Sequence, residues 1–118
     1  MSMDAPRVPF QVFEEENRTT VRFDAGTTLS ELNAEEVTRE LVPLAQDPQR
    51  PHLFLDLGGV AMMTSVALAK FVALNRQARA AGGRLTLFNL TPPVRQAFKI
   101  TRLDTVLEIH PAANAIPA

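Results

Sequence analysis

Cysteine is absent from the 118 residues of this chain. That excludes disulfide scaffolds, thiolate metal sites and thiol nucleophiles, and it fits a reducing compartment. Tryptophan and tyrosine are also missing, so seven phenylalanines supply every aromatic ring. Little material is left for stacking on nucleobases or sugars, and the phenylalanines read as core. Nor is either sign of charge in excess. Twelve Lys and Arg against thirteen Asp and Glu give a formal charge of −1, which leaves no broad footprint for nucleic acid or an anionic membrane. No apolar run approaches the ~20 residues of a membrane span, and residues 1–6 lack the basic region and apolar stretch of a signal peptide. A cytoplasmic protein with no membrane insertion is expected.

Chemistry-bearing motifs are equally sparse. His52 and His110 are the only histidines and fall at the ends of different strands, so neither a metal site nor a Ser-His pair can be assembled. Asp56 closes an apolar strand with no second carboxylate clustered beside it, and is expected to bond nearby backbone N–H groups. Gly58-Gly59 and Gly82-Gly83 lack the spacing and the lysine of a phosphate loop. No cofactor, no metal and no catalytic residue is expected, and the chain does not read as an enzyme.

What is present is one α/β pattern. Nearly half the residues are hydrophobic (46%), enough for one sizeable core, so residues 1–118 read as one domain with a core of about 8–111 and frayed ends at Pro6, Pro9, Pro111 and Pro117. Residues 8–14 and 19–23 alternate about the polar turn Glu15-Glu16-Asn17-Arg18 and predict an antiparallel hairpin. Residues 24–32 read as loop, and Asn33 as the N-cap of a helix over 34–45 that ends at Asp47-Pro48. The run 52–57 is nearly all apolar, as for a central strand buried on both faces. The longest helix is expected over 64–81, with Leu68, Phe71, Val72 and Ala78 as its stripe and Gly82-Gly83 as its left-handed cap. A strand over 84–88 follows, then a helix opened by Thr91-Pro92 that buries Val94, Ala97, Phe98 and Thr101, then a last strand over 106–109. The order ββαβαβαβ predicts a mixed, mostly parallel sheet with helices packed on it as right-handed crossovers. Arg76, Arg79 and Arg84 are expected to gather near one end of the long helix as a solvated face.

Four local patterns in sequence carry a family resemblance. They are Leu55-Asp56-Leu57-Gly58-Gly59-Val60, Met63-Thr64-Ser65-Val66-Ala67-Leu68, Ala80-Ala81-Gly82-Gly83-Arg84-Leu85, and Asn89-Leu90-Thr91-Pro92-Pro93-Val94 leading to Thr101-Arg102-Leu103-Asp104. In this order and spacing they resemble the STAS domain and anti-sigma factor antagonist family. The likeness is close over 52–109; before that, only the strand-strand-helix layout matches. The resemblance implies a non-catalytic signalling domain that binds a kinase-type anti-sigma factor or another signalling protein, as a monomer or weak dimer. In members switched by phosphorylation the turn before the long helix reads roughly Asp-Ser-Ser-Gly-Leu, and aligning the leucine with Leu68 places the phosphorylated serine on Ser65. This chain departs from that turn: Thr64 stands at the acidic position, Val66 at the second small residue and Ala67 at the glycine. Arg102 stands where a glycine usually precedes Leu103.

The resemblance thus implies Ser65 as the phosphorylation site. A phosphate there would sit in the first turn of a helix, where unpaired N–H groups and the helix dipole favour negative charge. Its −1.5 to −2 units of charge would disfavour an acidic or apolar partner surface without unfolding the domain. Val66, Ala69 and Ala73 fall opposite Leu68 and Phe71 on the helix. With Met62 or Met63 they are expected to form a small apolar patch beside the switch. The expected partner-binding residues are Met63, Thr64, Ser65, Val66, Ala69, Lys70 and Ala73. The departures at Thr64, Val66 and Ala67 support a second reading, a constitutive STAS adaptor or scaffold in a larger signalling or lipid-transport assembly.

Overall fold

A computed structural model describes residues 8–113. Pro6 and Pro117 lie outside the described residues. The chain opens with strands β1 (Phe10–Glu14) and β2 (Arg18–Phe23), an antiparallel hairpin in which Phe10 faces Phe23 and Val12 faces Val21. Its turn is closed by the Glu15 amide donating to the Arg18 carbonyl at 2.9 Å. Pro9 is part of this structure and not a frayed end, because its carbonyl accepts from the Asp24 amide at 2.8 Å.

Helix α1 (Ala34–Ala45) and strand β4 (His52–Asp56) follow. The loop expected over 24–32 contains a short strand, β3 (Thr27–Leu29), and a second strand not foreseen in the sequence, β5 (Val60–Met63), lies just before the long helix. These two pair in parallel as a separate ribbon. Each is too short to give a periodic signal of its own. What holds them is non-local, since Val60 and Met63 of β5 and Leu29 of β3 are buried in the common core.

Helix α2 (Ser65–Ala80), strand β6 (Arg84–Phe88), helix α3 (Pro92–Ile100), a 3-10 turn at Leu103–Thr105 and strand β7 (Glu108–His110) complete the chain. The main sheet has the order β1-β2-β4-β6-β7, parallel except at β1. From β2 onward the strands are added in one direction, so right-handed crossovers place every helix on the same face. Among the described residues the strand order has no switch point, and with it no crevice of the kind that holds dinucleotides in doubly wound sheets.

One face of this sheet is therefore the core. Val21, Leu53, Leu55, Leu85 and Leu87 point into a cluster with Val37 and Leu41 of α1, Leu68 and Phe71 of α2, and Val94 and Phe98 of α3. β4 is buried on both faces as expected, yet no helix among the described residues covers the second face. There Phe54 is 6% exposed because His52 stacks on it at 3.9 Å, Phe88 meets it edge-on at 6.5 Å and the Arg18 guanidinium lies 5.1 Å over its ring.

Two backbone features bear on the site. Gly82 ends α2 with φ of 84°, and its amide donates to Arg79 while that of Gly83 donates to Ala78, at 3.0 and 2.8 Å. This is the left-handed cap expected from the sequence. Arg102, at the position where a glycine is usual, has φ of 61°, so the turn after α3 demands a left-handed residue and obtains it from a side chain that resists that conformation. Thr101 is exposed just beyond α3 and does not join its buried side, because its hydroxyl turns back to the Ala97 carbonyl at 2.8 Å. Arg84, at the start of β6, pairs with Glu108 of the neighbouring strand β7.

Candidate functional site

The turn between β5 and α2 is held from three sides. Thr64 is the N-cap of α2, with extended backbone and a hydroxyl that accepts from the Ala67 amide at 3.4 Å. Its own amide donates to the Leu29 carbonyl of β3 at 2.9 Å. On the other flank the Thr91 hydroxyl, ahead of α3, donates to the Val60 carbonyl at 2.7 Å. Thr91 thus ties α3 to β5 where a side-chain cap on its own helix was expected; Asn33 behaves alike, its amide group bonding back to Ser30 and Thr28.

Ser65 follows the cap as the first residue of α2 and is exposed. The first turn of α2 carries no acidic side chain, so the helix supplies no carboxylate of its own to its free N–H groups and the positive end of its dipole. Ser65 stands at the head of a groove of about 320 Å³. Leu68, Val72 and Leu103 line it, Ala69 and Ala73 leave room along it, and Arg76 lies further along α2. Val72, expected in the buried stripe, is half-buried there; the buried face of α2 is completed by Leu74.

Most of the residues singled out in the sequence are brought together here. Thr64, Ser65, Val66, Ala69, Lys70 and Ala73 lie on the cap and the outer side of α2, and Val66 is 42% exposed. Met63 is a correction. It is 5% exposed and belongs to the core, because the strand pleat of β5 turns it inward and turns Met62 out, 55% exposed. Lys70 leans toward α1, with Nζ 3.7 Å from Glu35. Leu32, which the sequence reading left in a loop, is almost fully exposed at 93%, three residues beyond the strand end that holds Thr64. Leu103 was also missed as a groove residue; nothing in the local pattern joins it to a helix nearly forty positions earlier.

Asp56 is confirmed as a backbone ligand. It accepts from the Gly58 amide at 2.9 Å and from the Asn89 side chain at 3.3 Å, fixing the turn into β5. The histidines stay apart from this site. His52 Nε2 lies 2.7 Å from the Thr86 hydroxyl, and its pKa is lowered first by burial and then by Arg84. His110 Nε2 lies 2.8 Å from Glu108. Among the described residues no three His, Cys, Asp or Glu side chains are grouped to hold a metal ion. No helix among them is long and apolar enough to cross a membrane.

The family model described as the STAS domain matches residues 12–115. The chain belongs to the STAS domain family. A relative from Bordetella bronchiseptica, BtrV, assigned by inference as an anti-sigma factor antagonist, is 34% identical over 83 residues, covering 70% of this chain and 68% of its own. Among solved structures, an anti-sigma factor antagonist STAS domain protein from Planctomyces limnophilus superposes with a TM-score of 0.77 at 21% identity, over 89% of this chain and 92% of that one. The anti-sigma factor antagonist SpoIIAA of Bacillus superposes at 0.65 unphosphorylated, at 16% identity over 89% of this chain and 90% of its own. Its phosphorylated form gives 0.64, at 17% identity over 90% and 95%. The STAS family is one of non-catalytic regulatory domains.

Proposed function

We propose that this STAS domain is an anti-sigma factor antagonist that docks a kinase-type anti-sigma factor on α2 and its preceding turn, and that phosphorylation of Ser65 by that partner releases it. The observation that carries the reading is the position of Ser65: exposed, first in α2 and at the head of the groove. Support comes from the apolar side chains on the neighbouring surface, Met62 and Val66, and from the relatives that bear the antagonist description. A phosphate at Ser65 would be stabilised by the first-turn N–H groups of α2, while its charge would have to be desolvated under any docked partner. Binding would weaken with no rearrangement of the fold.

The test is capture from native lysate on wild-type, Ser65→Ala and Ser65→Asp baits, with intact-mass analysis of the natively produced protein. The reading expects an ATP-binding kinase-like protein held by wild type and Ser65→Ala, released by Ser65→Asp, and a phosphorylated fraction that Ser65→Ala lacks. If all three baits retain the same partner and no phosphate is found, the domain is an unswitched adaptor.

A further inference from the structure

A second cleft lies between α3 and β7, away from Ser65, with a volume of about 320 Å³. Two kinds of side chain line it. Half-buried Ile109 and exposed Pro111 offer apolar surface over the buried Leu90 and Phe98, while Arg95 and Lys99 bring positive charge, Asp104 a negative one, and His110 completes the lining.

Arg95 and Lys99 are four residues apart on α3, so like charges stand over the same helix face and repel. Neither has a carboxylate within 4.0 Å among the described residues. The Arg95 guanidinium is steadied at the cleft by donating to the Leu90 carbonyl at 3.2 Å, which leaves further N–H groups for another acceptor. Glu108, the nearest acid on the β7 side, is already held by Arg84 and His110. With His110 of the lining paired to Glu108 at 2.8 Å, Arg95, Lys99 and Asp104 leave one positive charge uncompensated.

We infer that this cleft binds a small amphipathic monoanion, a carboxylate on an aliphatic chain, with the head group between Arg95 and Lys99 and the chain against Ile109 and Pro111. Its volume falls at the small end of ligand sites, which suits a short chain and excludes a dinucleotide. Asp104 sets the charge preference, because it repels a dianion such as a phosphate monoester more strongly than a carboxylate.

The test is a ¹H–¹⁵N titration of the full chain with octanoate, run beside acetate, octylammonium and octyl phosphate. Saturable shifts confined to α3, β7 and the 103–105 turn are expected with octanoate, weaker binding with octyl phosphate, and none with acetate or octylammonium. Lys99→Glu or Arg95→Glu should weaken octanoate by about tenfold or more, and Asp104→Asn should tighten it severalfold. All three positions are exposed, so the folded spectrum is the control, and the gain with Asp104→Asn cannot come from misfolding. Absence of saturable shifts at millimolar octanoate, equal binding of octylammonium, or octanoate binding unchanged in both charge reversals would overturn the inference.

Discussion

The amide of Thr64 donates to the carbonyl of Leu29 at 2.9 Å, so the residue that caps α2 is fastened to a strand that lies thirty-five positions earlier in the chain. The start of α2, and with it Ser65, is positioned by β3 as much as by its own cap. Thr64→Ala should then lower stability by only about 0.5–1 kcal/mol, the low end for an N-cap, since the capping bond is long at 3.4 Å and the backbone bond to Leu29 survives. Thr64→Pro removes the amide and should cost clearly more. Denaturant unfolding of the two variants makes the comparison.

Arg102 occupies a left-handed conformation, φ 61°, with an exposed side chain. Arg102→Gly should stabilise the domain by about 0.5–1 kcal/mol, the relief of backbone strain exceeding the extra entropy of glycine in the unfolded chain. Arg102→Val should destabilise it, because a β-branched residue tolerates this region least. Thermal melts would show the opposite signs.

The hydroxyl of Thr19 is buried with no hydrogen-bond partner among the described residues, and the residue is 1% exposed on the helix-covered face, beside Leu53 in the register. Thr19→Val keeps the shape and removes the unsatisfied group. A gain of about 1 kcal/mol in unfolding free energy is expected. A loss would mean that the hydroxyl is satisfied in solution.

Hydrogen bonding from Arg84 holds Glu108 down to about 2, against burial that pushes it up, with further help from His110. A depressed carboxyl favours the folded state above its unfolded pKa, and that contribution fades as pH falls from about 4.5 toward about 2. His52 is lowered from 6.5 by burial, so its contribution is also present at higher pH and starts to fade as pH falls through 6.5. Stability should therefore decline in two acid steps. Glu108→Gln should remove the lower step and cost on the order of 1 kcal/mol at neutral pH, a figure limited by solvent around the pair. Urea unfolding between pH 7 and pH 2.5 would resolve both.

Local pattern alone was sufficient for the hairpin, for three helices, for the strands at 52–56 and 84–88, and for the αL cap at Gly82. Each rests on short-range physics: alternation, the 3.6-residue stripe, or a glycine free to take positive φ. The helix start at Thr64-Ser65 was legible for the same reason, whereas the reading of Ser65 as a phosphorylation site came from the family resemblance and not from local pattern. Tertiary structure decided the rest. Three-residue and four-residue strands at 27–29 and 60–63 exist only because they pair with each other over the core. Met63 and Met62 are equivalent in the sequence until the pleat of β5 sends one inward and the other out. Leu103 comes beside Ser65 because α3 folds back after a left-handed turn at Arg102. The second face of β4 is closed by His52, Phe88 and Arg18 and not by a helix, since strands added in a single direction put every right-handed crossover on the same side.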